Sequence, residues 1–399
     1  MRFRANKVAA KLAMVGLSSV GGLLLATATM PVGPLVPDGE AAAAAPAAPT
    51  PFWSPAALSD LQAEALAAEQ EGLDASAYGL EEIAALAARG PSGALDDAAT
   101  QAAVALARDY AVGRVPDSRR TGWHIPRDDL DRERLILQLE AAIRSNRLRP
   151  WLRGLLPGDP RYAALRDAYA ATPPAERSRR DRLRVNLERW RWLPREIGAD
   201  HLFVNVPAYR LDLYEDGERV ASHDVIVGKP STPTPQIAVP AVSLVVNPWW
   251  TPPPSIARGL GAGGSYVYSG GRLRQRPGPG NALGRVKLDM PNPHIVYLHD
   301  TPAKGLFGAR SRAFSHGCVR VRDMAALAAR LAELDRGSSG DVRRALARSA
   351  TRTLAFEKLR PVYFVYFTAE AEPGGAVTLH DDPYGRDRRV LASLDAQAA

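Results

Sequence analysis

The spacing of apolar residues changes near Leu193-Pro194, and this change constrains the fold more than any other feature of the chain. Before it, from Pro55 to about Trp192, apolar residues recur at helical intervals. After it, apolar and polar residues alternate as they do in half-buried strands. A chain of 399 residues is long enough for two folded parts. We therefore predict an α+β protein, in which an all-α N-terminal part precedes a mainly β part with a few helices.

The first helix of the N-terminal half is marked at both ends. Pro55 follows Ser54 as a proline at the first helical position follows an N-cap, and Gly72 ends the apolar run like a C-terminal glycine. His124 is the only histidine of this half, and we predict a surface or capping role for it. Further helices are predicted at 80–88, 96–111, 129–144, 160–171 and 175–192.

The second half begins with a predicted hairpin. Alternating residues at 210–214 and 220–227 flank a turn at Glu215-Asp216-Gly217-Glu218, and a strand at 201–206 precedes them. Helices return only at two places, 324–334 and 341–349. Further strands are predicted at 242–246, 285–288, 295–299 and 362–367.

The N-terminus has the pattern of an export signal. A basic start is followed by uncharged apolar runs and then by small residues. The apolar run is too short and interrupted for a membrane-spanning helix, which needs about 20 continuous apolar residues. We predict a signal peptide at 1–30, a flexible Ala/Pro linker at 31–53 and a location in the periplasm. A signal that stays uncleaved would hold the protein near the membrane.

The formal net charge of +8 does not by itself indicate nucleic acid binding. Arg2, Arg4, Lys7 and Lys11 equal half of that excess and lie in the predicted signal. The remaining charge is spread over a chain in which Arg residues often neighbour Asp or Glu, which suits attraction to an anionic polymer. We therefore predict no nucleic acid partner.

The single cysteine of the chain, Cys318, has no internal disulfide partner and is preceded by two histidines. His299 could take the thiol proton and later deliver it to a leaving amine. Gly317 permits a tight turn whose exposed N–H groups could receive an oxyanion. Two other interpretations stay open on spacing alone. One is an inert buried thiol beside structural histidines, and the other is a zinc site formed by His299, His316 and Cys318.

The strand predicted at 295–299 bears on the geometry of this cluster. Alternation along a strand would place Ile295, Tyr297 and His299 on one face, and Val296 and Leu298 on the opposite face towards the core. The imidazole and the phenol would then project together from the edge of a sheet.

Two motifs around these residues resemble the signature of the YkuD-type L,D-transpeptidases. They are Tyr-Leu-His-Asp-Thr-Pro at 297–302 and Phe-Ser-His-Gly-Cys-Val-Arg-Val at 314–321. The resemblance covers about 188 to 325, and the helical half resembles a scaffold domain more loosely. Segments similar to those of the large periplasmic subgroup of Gram-negative bacteria lie at 188–194, 226–230, 247–250 and 277–287.

The resemblance implies a helical scaffold domain at 54–195, an L,D-transpeptidase catalytic domain at 196–370 and a C-terminal tail at 371–399. Members of the subgroup often have a small peptidoglycan-binding module before residue 188 and a longer lid before the catalytic base. Here 171–182 leaves no room for the module, and 254–272 is a short Gly/Ser-rich stretch. We therefore expect the wall-binding module to be missing and the lid to be shortened.

The resemblance also implies a role for each site residue. Cys318 would be the nucleophile and His299 its base, oriented by the backbone carbonyl of Asp300. His316 and Gly317 would line the oxyanion pocket. Position 320 is Asn in the wider family and Arg in the subgroup. The residues expected to bind substrate are Tyr297, Ser315, Arg320, Trp250 and Asn281.

The activity that the resemblance implies is the cross-linking of peptidoglycan stem peptides. The thiol would attack the carbonyl of the third stem residue, release D-alanine and pass the acyl group to the third residue of another stem. Water, a lipoprotein lysine or a free D-amino acid are alternative acceptors, and a non-catalytic wall-binding scaffold is a rival of another class. No metal or organic cofactor is expected, since a thioester divides the transfer into two easier steps. Carbapenems are expected as inhibitors.

Overall fold

The computed structural model describes residues 53–127, 130–372, 374 and 376–396. The predicted signal peptide and nearly all of the predicted linker lie outside these residues, so both stay predictions. Within the described part, no helix combines the length and the apolar character needed to cross a membrane.

The N-terminal part is helical, as predicted. The Ser54 hydroxyl caps the first helix by accepting from the Ala57 N–H at 3.2 Å. Gly72 follows with φ of 74°, a left-handed conformation that glycine adopts without strain. In the described residues the α-helices are α1 Pro55–Ala67, α2 Leu80–Ala87, α3 Gly93–Val112, α4 Arg132–Arg144, α5 Leu148–Arg153, α6 Pro160–Ala171 and α7 Arg177–Trp190, with 3-10 turns at Ala68–Glu71, Ala75–Tyr78 and Asp117–Arg119.

The second part is rich in strands and has few helices, which confirms the predicted fold class. Its described strands are β1 His201–Asn205, β2 Arg210–Glu215, β3 Glu218–Gly228, β4 Ala238–Val246, β5 Tyr266–Ser269, β6 Arg272–Gln275, β7 Val286–Asp289, β8 Leu298–His299, β9 Ala313–Ser315, β10 Val319–Val321, β11 Arg352–Val365, β12 Ala369–Ala371 and β13 Val377–Leu379. Its helices are α8 Pro254–Ala257, α9 Met324–Arg336, α10 Gly340–Leu346 and α11 Asp387–Asp395, with a 3-10 turn at Lys304–Gly308.

Nine of the described strands form one sheet in the order β10-β8-β7-β4-β11-β1-β2-β3-β9. β10 also pairs antiparallel with β3, so the sheet closes on itself. The predicted hairpin is present, because β2 and β3 are antiparallel and Asp216 and Gly217 turn with positive φ between them. As a result β10 has a paired strand on each side, which fixes its register.

The strand predicted at 295–299 is mostly wrong. Only Leu298–His299 is a strand, and Ile295 adopts φ of 55° with its side chain 76% exposed. Ile295 therefore does not share a strand face with His299. The sequence prediction also omits six of the seven described strands of three or four residues, since such short runs give too little alternation to recognise. They are β5, β6, β9, β10, β12 and β13.

The prediction that helices return only at 324–334 and 341–349 is also wrong, because α8 and α11 lie outside both ranges. α11 belongs to 371–399, which the resemblance implies to be a tail. Val390 and Leu394 of this helix are buried with Val115, Val185 and Trp192 of the helical part. The described residues of this C-terminal stretch are thus folded against the helices.

The sheet is buried on both faces. Leu202 and Val204 of β1 pack in the core that includes α9, whereas Phe203, between them, faces the helices α6 and α7. On that side Trp190 stacks on Phe367 with ring centroids 5.0 Å apart. The helical part and the strand-rich part therefore share a hydrophobic core, and burying this apolar area stabilises their contact.

Glu188 of α7 is a fully buried carboxylate that joins two segments of the helical part. It accepts from the Val115 N–H at 2.7 Å and from the Trp192 indole at 2.9 Å, and pairs with Arg191 at 3.1 Å. Gly113 packs so closely that a Cβ there would lie 2.5 Å from the carboxylate. A charge in such a place is tolerated only when it is paired and hydrogen-bonded.

Replacing Glu188 by Ala is expected to destabilise the protein by about 3–5 kcal/mol, because the buried Arg191 loses its partner. Urea unfolding followed by circular dichroism measures the change. Asp341→Ala is the control, since it removes an exposed pair with Arg344 and should leave the unfolding midpoint unchanged. Equal losses in the two variants would show that Glu188 has no special structural role.

Candidate active site

The parallel pairing of β8 with β10 brings together the main residues that the sequence singles out. Val319 is in register with Leu298, and Arg320 with His299. Val319 and Leu298 are fully buried. Because side chains alternate along a strand, Cys318 and Arg320 project away from Val319, on the side where His299 lies.

Tyr297 lies against this group. Its ring centroid is 5.6 Å from that of His299, and the Lys287 ammonium lies 4.4 Å from the centroid of the phenol. The hydroxyl contacts the Cys318 thiol and the Trp250 side chain. Burial raises the pKa of Tyr297, and the neighbouring Cys318 raises it further, so the phenol keeps its proton and can donate it in a hydrogen bond.

The imidazole of His299 is held by the backbone of the next residue. Nδ1 donates to the Asp300 carbonyl at 2.5 Å, the contact that the resemblance implies. The Asp300 carboxylate is in turn fixed by the Arg285 N–H at 2.8 Å and by Lys304 at 2.6 Å. With Nδ1 engaged as a donor, Nε2 is the nitrogen that can accept a proton.

Burial sets the protonation state of His299. The ring is buried, and desolvation, followed by the nearby Arg320 charge, lowers its pKa to about 4. A group with this pKa is neutral near pH 7, because the charged form predominates only below the pKa. His299 is therefore ready to accept a proton from a thiol.

The thiol of Cys318 is half-buried and protonated at neutral pH. Burial raises its pKa, and contacts with Tyr297 and the charges of Lys287 and Arg320 oppose that rise only in part. The thiol donates to the carbonyl of Ile295, with sulfur and oxygen 3.6 Å apart. The S–H bond therefore has to turn away from this carbonyl, by rotation about the Cβ–Sγ bond, before the thiol proton can move to the imidazole.

Cys318 lies at the end of a tight turn at 315–318. Gly317 has φ of 115°, which favours glycine. The buried Ser315 hydroxyl donates to the carbonyl of Cys318 and accepts from the Gly317 N–H at 3.1 Å. The Gly317 N–H is therefore engaged inside the turn in this structure, and its part in an oxyanion pocket stays a prediction. Ser315 holds this turn, and its contact with substrate stays a prediction.

The sequence analysis overlooks two groups near the thiol. The Ile295 carbonyl is one, and only its unexpected backbone turn brings it there. The other group is Lys287 of β7, which is in register with His299 of β8. The positive charge of Lys287 lowers the pKa of Cys318. A polar residue between the buried Val286 and Leu288 is the signal that could have revealed Lys287.

Arg320 is a partly buried cation whose guanidinium group has few hydrogen-bond partners among the described residues. Its Nε atom is buried and has no hydrogen-bond partner among the described residues. Burial lowers the pKa of Arg320, with Cys318 opposing that shift. A buried donor without a partner is costly, and a ligand that accepts its hydrogen bond would relieve that cost.

The remaining predicted residues have different surroundings. Trp250 contacts Tyr297 and so borders the site. Asn281 is 1% exposed, and its amide donates to the carbonyls of Pro248 and Arg276, at 3.1 and 3.0 Å. Those bonds fix a loop, and the assignment of Asn281 to substrate binding stays a prediction. The His316 side chain is exposed and has no hydrogen-bond partner within the described residues.

No group of three or more His, Cys, Asp or Glu side chains within the described chain is arranged to hold a metal ion. The zinc interpretation of His299, His316 and Cys318 therefore gains no support. A cavity of about 970 Å³ lies in the helical part, bordered by Tyr78, Arg108 and other residues, and none of the site residues lines it.

Comparisons with family models match the helical part and the strand-rich part of the chain separately. Residues 199–341 match the model of the YkuD family, described as the L,D-transpeptidase catalytic domain. Residues 46–168 match the model of a family described as a scaffold domain. The first match includes the β8–β10 pair and the turn at 315–318.

A curated protein of Haemophilus influenzae named "Putative L,D-transpeptidase" is 32% identical over 247 residues, which are 54% of this chain and 50% of that protein. The chain thus spans about half the length of this relative. Among solved structures, an L,D-transpeptidase from Mycobacterium smegmatis is 16% identical, with 42% of this chain and 58% of that chain covered and a TM-score of 0.23.

The catalytic domain of an Enterococcus faecium L,D-transpeptidase acylated by ertapenem is 15% identical, with coverages of 43% and 99% and a TM-score of 0.25. Such low TM-scores add nothing to the assignment, which rests on the family models and the curated relative. Residues 199–341 are therefore similar to the L,D-transpeptidase catalytic domain of the YkuD family, and residues 46–168, which precede them, are similar to a scaffold domain.

Proposed function

We propose that this protein is a peptidoglycan L,D-transpeptidase that links the third residues of two stem peptides through a thioester on Cys318. In the first step Sγ attacks the carbonyl carbon of the third stem residue while the thiol proton passes to Nε2 of His299. The C–N bond to the terminal D-alanine then breaks, and its nitrogen takes that proton. In the second step an amine of another stem attacks the thioester, His299 takes a proton from that amine, and the C–S bond breaks as His299 returns the proton to the sulfur.

The observation that carries this proposal is the hydrogen bond from His299 Nδ1 to the Asp300 carbonyl. It leaves Nε2 as the proton acceptor on the side of the sheet where Cys318 projects. A base whose second nitrogen is fixed keeps both its tautomer and its orientation, which general acid–base catalysis requires.

The electrostatics favour a neutral resting pair. The pKa of His299 is lowered and that of Cys318 is raised, so neither group is charged near pH 7. Proton transfer then accompanies the attack on the carbonyl, with His299 acting as a general base. An ion pair formed in advance would need the opposite shifts.

Substrate binding is proposed for the polar groups around the thiol. The unsatisfied Nε of Arg320 suits a carboxylate of the stem peptide, since guanidinium groups bind carboxylates well. Tyr297 and Trp250 would border the donor peptide. Carbapenems would acylate the same sulfur, and the Enterococcus faecium catalytic domain named above is one that ertapenem acylates. The signal predicted at 1–30 supports a location in the periplasm.

Incubation of the purified protein with disaccharide tetrapeptide, followed by mass spectrometry, tests the proposed reaction. Dimers that have lost one D-alanine are the expected product. Tripeptide alone would identify water as the acceptor and replace the cross-linking proposal with a carboxypeptidase. Unchanged substrate would support the non-catalytic scaffold.

Cys318→Ala is expected to abolish the acyl-enzyme, because no other residue of the chain supplies a thiol. Intact-mass spectrometry after exposure to a carbapenem detects the adduct, and thermal unfolding should show a nearly unchanged Tm. Ser76→Ala is a control, since the exposed Ser76 hydroxyl donates only to Asp74, two residues away and outside the site. An adduct on the Cys318→Ala protein would overturn the mechanism.

The rate of acylation by a carbapenem is expected to fall as the pH drops through about 4, because protonated His299 accepts no proton from the thiol. In Arg320→Gln the fall in rate should occur at higher pH, since the Arg320 charge lowers the pKa of His299. Circular dichroism at each pH verifies that the protein is folded. If the rate in Arg320→Gln falls at the same pH as in the wild type, or at lower pH, Arg320 does not lower the pKa of His299.

A further inference from the structure

A buried threonine that the proposed chemistry does not use lies behind the turn of the nucleophile. Thr234, in the loop between β3 and β4, is 0% exposed. Its hydroxyl accepts from the Gly228 N–H at 2.9 Å and donates to the Gly317 carbonyl at 2.8 Å. Because Gly228 supplies the proton of the first bond, the hydroxyl hydrogen has to point at Gly317.

The Gly317 carbonyl belongs to the same peptide group as the Cys318 N–H. This group is planar and trans, so its C=O and N–H point in opposite directions. Ser315 holds the two neighbouring peptide groups, through the Gly317 N–H and the Cys318 carbonyl, but not this one. The hydrogen bond from Thr234 to the carbonyl therefore sets the direction of the Cys318 N–H.

That N–H is suited to binding an oxyanion. It donates to no group within the described residues, whereas the neighbouring Gly317 N–H is occupied by Ser315. A fixed backbone donor beside the attacking atom stabilises the negative charge of a tetrahedral intermediate. The bond at the carbonyl also polarises the peptide group, which strengthens the N–H as a donor.

The C-terminal stretch braces Thr234 from behind. The Tyr384 hydroxyl donates to the Gly228 carbonyl at 2.6 Å and accepts from the Thr234 N–H at 3.2 Å. At Gly228 a Cβ would lie 2.7 Å from the Thr234 nitrogen, so only glycine allows this close approach. The Tyr384 hydroxyl thereby joins the loop that contains Thr234 to the end of β3.

The helical part reaches the same loop through Gln236, which is also 0% exposed. Its side-chain amide donates to the Thr234 carbonyl at 3.0 Å. Its backbone N–H donates to the Gly122 carbonyl at 2.9 Å, and its carbonyl accepts from the His124 N–H at 2.7 Å. His124 thus contributes its backbone to the support of the loop, beyond the surface role predicted for it.

From these contacts we infer that Thr234 is a positioning residue for the oxyanion-stabilising N–H of Cys318, held in place by Tyr384 and Gln236. The inference rests on the proposed attack of Cys318 on a carbonyl. It assigns a function to a hydroxyl that never touches substrate and acts through one peptide group. Reactions that build negative charge on a carbonyl oxygen depend on this hydroxyl, and reactions of the thiol that build none do not.

Two reactions of the same thiol test the inference. Acylation by a carbapenem passes through an oxyanion, whereas alkylation by iodoacetamide does not. Thr234→Val keeps the shape and removes the hydroxyl, and it should slow acylation on the order of tenfold, less than outright loss of an oxyanion donor costs. Alkylation, followed across a range of pH, should match the wild type. Thr234→Ser should restore acylation because it keeps the hydroxyl.

Thr172→Val is the matched control. Thr172 is 5% exposed, and its hydroxyl donates to the Ala168 carbonyl at 2.7 Å in the helical part. This variant should lower Tm about as much as Thr234→Val and leave both reactions unchanged. Tyr384→Phe provides a second test if Thr234→Val does not fold, with slower acylation and unchanged alkylation as the expected result.

Wild-type acylation rates in folded Thr234→Val and Tyr384→Phe would overturn the inference. Equal losses of acylation and alkylation would also overturn it, since they would mean that the sulfur itself has moved. Slower acylation in Thr172→Val would show that the slower acylation of Thr234→Val comes from general destabilisation, which would also overturn the inference. A wild-type protein that no carbapenem acylates would instead remove the proposed function, and the two failures are thereby distinguished.

Discussion

The parallel pairing of β8 with β10 is the interaction on which the site depends. β8 has only two residues and β10 only three, so neither strand would be stable alone. Their register is fixed because β10 pairs with β3 on its other edge, and because Val319 and Leu298 are buried in the core. A shift by one residue would turn Cys318 away from His299.

The closed sheet also determines the electrostatics of the site. Burial of His299 lowers its pKa, and burial of Cys318 raises the pKa of the thiol, so desolvation keeps both groups neutral. Lys287 and Arg320 place positive charge beside the sulfur, which favours the thiolate when it forms. The resting protein thus keeps the Cys318 thiol protonated, while the charges that would stabilise a developing anion are already in position.

Much of the fold can be predicted from local sequence patterns. The Ser54 cap and the Gly72 stop mark a real helical segment, and the hairpin of β2 and β3 follows from its alternation and its turn residues. Short strands such as β10 and the helix α11 escape prediction. Their stability comes from pairing and packing with distant residues, which leaves little signal in the segment itself.

The sequence by itself determined the reactive groups: one thiol, a histidine upstream and a glycine that lets the turn form, together with motifs that resemble those of a known family. Only the tertiary structure decided how the surrounding residues are used. It buried Asn281 in a loop, brought the Ile295 carbonyl to the thiol and placed Thr234 and Tyr384 behind the turn. These contacts join segments that are not neighbours in the chain, so they form only when the sheet is assembled, and no local pattern encodes them.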